Sequence, residues 1–117
     1  MCYGLSEQTV NKIRGIFAAH PSIKKAVLYG SRAKGNYKPG SDIDITLHGD
    51  DLTSKELGII AEELDDLLLP YQIDLSLFRQ ITHEGLIEHI KRVGVVFHQW
   101  EQQEKQSTGN SGESIID

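Results

Sequence analysis

Asp42 and Asp44 sit two residues apart in the run Gly40-Ser41-Asp42-Ile43-Asp44-Ile45. In a β-strand, residues two apart project from the same face, so a strand here would hold both carboxylates together. Aspartate is disfavoured in strands. Two like charges about 6 Å apart repel by roughly 2–3 kcal/mol at an effective dielectric near 20. A third acid, Asp74, lies in Gln72-Ile73-Asp74-Leu75, a second alternating segment. If the two strands are neighbours, three carboxylates converge, and such a cluster calls for a cation or a proton. A hard divalent ion that takes oxygen ligands and shares them with phosphates, Mg2+ or Mn2+, suits this set.

Ahead of the acidic pair stands Gly30-Ser31, at the end of the apolar run Ala26-Val27-Leu28-Tyr29. Glycine lets the backbone come close to a phosphate, and free N–H groups where a helical turn begins attract anions. Arg32 and Lys38 are near enough in sequence to neutralise phosphate charge. They belong to a basic island, Lys24, Lys25, Arg32, Lys34 and Lys38, uninterrupted by any acid. A bare Gly-Ser is usually a turn, and a bare Asp-x-Asp is usually a solvated strand face. It is their succession that points to a metal–nucleoside triphosphate site.

The elements needed to position these residues can be read from periodicity. Ser6 is a good N-cap for a helix from about Ser6 to Ala19, with Val10, Ile13 and Phe17 at helical spacing. Lys25 to Tyr29 reads as a strand, and Arg32 to Asn36 as a single helical turn. In Asp42 to His48, Ile43, Ile45 and Leu47 face one way, and Asp42, Asp44, Thr46 and His48 the other. Thr53 and Glu56 form a capping-box pattern for a helix that runs to about Leu69 and stops at Pro70. Tyr71 to Phe78 alternates again. A further helix starts near Thr82, with Gly94 as its C-cap, and Val95 to Trp100 makes a last short strand. The predicted class is α/β (α+β): a small mixed sheet flanked by helices, in one domain over residues 1–100. Residues 101–117, polar until Ile115-Ile116, are expected to form a flexible tail.

Composition narrows the function. The 117 residues suit one domain. A net charge of −5 argues against general duplex nucleic-acid binding. With one cysteine, Cys2, there is no internal disulfide and no cysteine metal site. No apolar stretch reaches the roughly 20 residues that span a bilayer, and the first residues lack a signal-peptide pattern, so a cytoplasmic location is the default. His48, His83, His89 and His98 have no metal-ligand spacing and read as ordinary, although His48 shares the Asp42/Asp44 face. Tyr29 reads as core, and Tyr37 as a residue that could border a nucleotide.

Gly30-Ser31-Arg32-Ala33-Lys34-Gly35 followed by Gly40-Ser41-Asp42-Ile43-Asp44-Ile45 resembles the signature of the nucleotidyltransferase superfamily related to DNA polymerase β. The small size and Gln72-Ile73-Asp74-Leu75 resemble its minimal branch, the MNT proteins. The likeness covers about Lys24 to Phe97. It implies the nucleotidyltransferase fold and a phosphate-binding set of Gly30, Ser31, Arg32, Lys38 and Ser41. Asp42, Asp44 and Asp74 would be the catalytic and metal-binding acids, with two Mg2+ or Mn2+ ions and Asp74 as a base. A nucleoside monophosphate, most simply AMP from ATP, would pass from an NTP to an acceptor hydroxyl. The branch implies a HEPN-type toxin as partner and acceptor, with this chain as its antitoxin. Larger members carry a second domain for the acceptor. Here that site is expected from a partner or from a second copy in a homo-oligomer. A non-catalytic antitoxin that masks its partner, or a small-molecule nucleotidyltransferase, are the alternatives.

Overall fold

The alternation around the acidic pair becomes a strand with two unlike faces. In the computed structural model, which describes residues 3–99, β2 spans Ile43–His48. Ile43, Ile45 and Leu47 are fully buried on one side of it. Helix α1 (Glu7–Ala18) precedes strand β1 (Lys25–Tyr29), which runs into a single helical turn, α2 (Ser31–Lys34). After β2 come α3 (Ser54–Asp65), β3 (Ile73–Leu77) with a 3-10 turn at Phe78–Gln80, α4 (Glu84–Val93) and β4 (Val95–Gln99). Trp100 and the expected tail lie outside the described residues.

The sheet order is β3-β2-β1-β4. β1 is antiparallel to both β2 and β4, while β2 and β3 run parallel. The expected mixed sheet flanked by helices is therefore what forms. A parallel pair needs a crossover connection, and α3 supplies it between β2 and β3. α1 and α3 cover one face: Val10, Ile13 and Phe17, with Ile60 and Leu64, pack on Ala26, Leu28, Ile45, Leu47 and Phe97. Each of the large side chains contributes about 1.5–3 kcal/mol on burial, so Phe17→Ala, at the centre, would cost about 3–5 kcal/mol. The opposite face carries a smaller cluster of Val27, Tyr29 and Ile90, joined by Phe78, Ile81 and Leu86.

The helix ends follow local chemistry, with two departures from expectation. Ser6 caps α1 by accepting the Thr9 N–H at 3.1 Å. Thr53 likewise accepts the Glu56 N–H at 3.1 Å, but the returning arm of the capping box is diverted. The Glu56 carboxylate instead takes the His20 Nδ1–H at 2.9 Å, which ties α3 to the segment after α1. The second departure is the end of α3, at Asp65 rather than near Leu69. Leu68 adopts a left-handed φ of 55° and is 87% exposed, so it cannot continue the apolar stripe. α4 begins at Glu84, and His83 Nδ1 accepts the Leu86 N–H at its start. Gly94 joins α4 to β4 with an ordinary negative φ. Its lack of a side chain is needed for another reason: a Cβ there would overlap the Ile90 carbonyl oxygen and Val27.

Candidate active site

Asp44 stands in the middle of a row across the sheet, with Tyr29 opposite it on β1 and Asp74 opposite it on β3. Neighbouring strands lie about 4.8 Å apart, so the parallel register brings two acids from distant sequence positions together. Asp42 lies just before β2, on the exposed rim, while Asp44 is half-buried and Asp74 exposed. The Asp44 carboxyl is pushed above its ordinary range, first by burial and then by the charges of Asp74 and Asp42, with His89 acting in the opposite sense. Tyr29 belongs to the same neighbourhood. Burial raises its phenol, a hydrogen bond with Ser76 opposes that, and Asp44 and Asp74 add to the rise. Tyr29 is core, 8% exposed, yet it forms the floor beside the acids.

Gly30 leaves β1 with φ 77° and ψ −157°, a conformation open to glycine alone at little cost. A Cβ at this position would overlap Asp44 Oδ2. The turn backbone therefore rests directly on the central carboxylate, and any side chain would prise the two apart. Ser31 opens α2, which closes at Gly35 in the left-handed region, φ 91°.

Arg32 requires a correction. It was expected to neutralise phosphate, but it is only 2% exposed. Its Nε and Nη2 donate to the Ser41 carbonyl at 3.0 and 2.9 Å, and its Nη1 donates to the Tyr3 carbonyl at 2.9 Å. The rings of Tyr37 and Tyr71 lie 5.3 and 4.9 Å from the guanidinium. The guanidinium is thus an internal brace that fastens the loop before β2 to the N-terminal segment, and it is withdrawn from the ligand face. Ser41 is engaged in that brace through its carbonyl, and its Oγ accepts the Lys38 N–H at 2.8 Å. Its hydroxyl proton is still available to donate. The Lys38 side chain is exposed on the same loop.

His89 is the site residue that sequence reading passed over as ordinary. The Gly30 N–H donates to His89 Nε2 at 3.2 Å, and the imidazole meets the Tyr29 ring edge-on, centroids 6.2 Å apart. Nothing in its spacing announces this, because it depends on how α4 lies across β1. His48, by contrast, sits at the far end of β2 from Asp44. It stacks on Phe78 with centroids 4.5 Å apart, and burial, then Lys25, lowers its pKa. A cavity of about 520 Å3, lined by Leu64, Leu69, Pro70, Tyr71 and Ile73 among others, involves none of the candidate residues.

The donor set suits a hard cation, since all three acids offer oxygen alone. Among the described residues, no three His, Cys, Asp or Glu side chains are gathered into a group that could hold a metal ion, so the expected convergence of all three carboxylates is not what forms: Asp44 and Asp74 are paired and Asp42 stands apart on the rim. The acids present an open face instead, the kind that Mg2+ fills together with waters and ligand phosphates.

A mixed sheet with paired acids on its open face, abutted by a glycine turn, has the layout of a metal-assisted phosphoryl- or nucleotidyl-transfer protein. The chain belongs to the family described as polymerase beta, nucleotidyltransferase, whose profile matches residues 11–103. Among solved structures, it is similar to a chain in the crystal structure of a toxin–antitoxin with AMP-PNP. Identity is 25% and the TM-score 0.62, over 85% of this chain and 76% of that one. The tri-AMPylated Shewanella oneidensis HEPN toxin in complex with MNT antitoxin holds a chain of the same fold, 22% identical with TM-score 0.59, over 80% of this chain and 71% of that one. Among curated proteins, DNA mismatch repair protein MutL of Bacillus cereus (strain B4264) is 40% identical over 45 residues. That stretch is 38% of this chain, and the chain spans only 7% of the MutL length.

Proposed function

We propose that this domain transfers AMP from ATP to a hydroxyl of a partner protein, and that the partner is a HEPN-type toxin neutralised by the modification. The observation that carries the reading is Asp44, set against Gly30 and paired with Asp74 across the strands, in a chain that is 25% identical to one from a toxin–antitoxin with AMP-PNP. The AMPylated toxin found beside a chain of the same fold supports the choice of acceptor.

In this reading the triphosphate lies over Gly30 and Ser31, where the missing side chain at position 30 lets phosphate oxygens approach the backbone. The Ser31 hydroxyl adds a hydrogen bond, and Lys38 and Ser41 border the phosphates from the loop. Asp42, Asp44 and Asp74 would hold two Mg2+ or Mn2+ ions, which supply charge neutralisation and lower the pKa of the acceptor hydroxyl. The acceptor oxygen bonds to the α-phosphorus, the bond to pyrophosphate breaks, and Asp74, more exposed than Asp44, takes the proton. Positioning and electrostatics carry most of such a reaction.

The test is to incubate the protein with ATP, Mg2+ and the protein encoded beside it, and then weigh both chains intact. A gain of one or more AMP masses on the neighbour supports the reading. A stable complex with no mass gain overturns transfer and leaves an antitoxin that acts by masking.

A further inference from the structure

Pairing of β1 ends at Tyr29↔Asp44 on one side and at Leu28↔Val95 on the other. The Gly30 N–H lies past both and finds its acceptor on a helix, in His89 Nε2 at 3.2 Å. An imidazole nitrogen that accepts carries no proton, so the ring proton is on Nδ1. The donor is not incidental. It belongs to the glycine whose backbone rests on the Asp44 carboxylate, which is where the proposed function places the phosphates. A backbone N–H has one proton to donate, so a phosphate oxygen and the imidazole compete for it.

We infer that His89 is an internal stand-in for the nucleotide: it holds the Gly30 N–H while the site is empty and is displaced from it by a phosphate oxygen. The inference rests on the nucleotide reading above and adds to it a residue from α4. Two observations support it. The imidazole is half-buried and aligned by its edge-on contact with Tyr29. And α4 is seated on this face through the small cluster of Ile90 and Leu86 with Val27 and Tyr29. A filled site would therefore remove one of the bonds that hold α4 to the end of β1. Nucleotide occupancy and the seating of α4 become linked, because a ligand shifts a conformational balance by the contacts it alone replaces.

The test is binding of a non-hydrolysable ATP analogue with Mg2+ to the full chain. His89→Ala frees the donor and should tighten binding by about two- to tenfold, the range set by one net hydrogen bond. His89→Gln, whose amide oxygen can accept the same N–H, should restore near wild-type affinity. The Gly30 amide resonance should differ between free wild type and free His89→Ala, and should converge when both are saturated. Unchanged or weaker binding by His89→Ala, with wild type binding normally, overturns the stand-in and leaves the nucleotide reading intact. No binding by wild type or by either variant overturns both, and Asp44→Asn is then indistinguishable from wild type.

Discussion

Asp44 and Asp74 are direct partners in the parallel β2·β3 register, so the sheet opposes two like charges that neither strand could bring together alone. Without a cation this arrangement works against folding. Asp44→Asn removes a carboxyl whose pKa is raised by burial and by its acidic neighbours. In metal-free buffer near neutral pH, the variant should be more stable by about 0.5–1 kcal/mol, read as a rise in Tm. AMP transfer should fall by at least about a hundredfold, since one anchor for the reacting groups is lost. Loss of activity without the gain in Tm would mean that the acids are not strained in the empty site.

Gly30→Ala tests the contact between turn and carboxylate. The new Cβ would meet Asp44 Oδ2 at a residue with φ 77°. Backbone strain of this kind costs about 1–3 kcal/mol; the displaced Asp44 should lower kcat, and the side chain in the path of the phosphates should raise the Km for ATP. Chemical denaturation and steady-state kinetics separate the two effects.

Arg32 is an internal brace, so its loss should appear first in stability. Arg32→Lys keeps the charge but loses the planar fork that serves Ser41 and Tyr3. A decrease of about 1–2 kcal/mol in unfolding free energy is expected, because part-buried carbonyls lose their donors. Nucleotide affinity measured well below the unfolding transition should change little. A large affinity loss in a variant with wild-type stability would return Arg32 to the phosphate site.

His20 sets a pH dependence. Its Nδ1 and Nε2 each face a carboxylate, Glu56 at 2.9 Å and Glu63 at 2.8 Å, so both nitrogens must carry protons to donate. Burial lowers its pKa, but the hydrogen bonds and charges of Glu63 and Glu56 outweigh that, and the pKa is raised above 6.5. A raised histidine stabilises the fold fully below its unfolded pKa, and the contribution is lost as pH rises through the folded value. Relative to His20→Gln, the wild type should therefore lose about 1 kcal/mol between pH 6 and pH 8.5. Melting curves of both proteins across that range check the sign.

Much of the fold and of the candidate site is legible in the sequence. Ile43, Ile45 and Leu47 alternate with Asp42, Asp44 and Thr46, and that period alone orients β2. Gly30-Ser31 ahead of the acids placed the turn. What could not be read depended on tertiary neighbours. Arg32 looks like a phosphate ligand because it is cationic and follows Gly-Ser, yet the Ser41 and Tyr3 carbonyls claim it from elsewhere in the chain. His89 carries no local signal, since its partner is a backbone group 59 positions away. Leu68 fits the helical period of α3, but the chain had already turned to reach β3.

The crossover through α3 also orders events in time. Thr46 and Ser76, the pair next to Asp44 and Asp74, are 30 positions apart, whereas Tyr29 and Asp44, the pair that closes β1 onto β2, are 15 apart. Closing the longer span costs more chain entropy, and non-local pairings are the slow ones. The nascent β1–β2 hairpin can therefore assemble with Asp44 still solvated and unopposed. The electrostatic cost of a working site is deferred to the docking of β3, and the early nucleus is spared a conflict that only the finished domain has to tolerate.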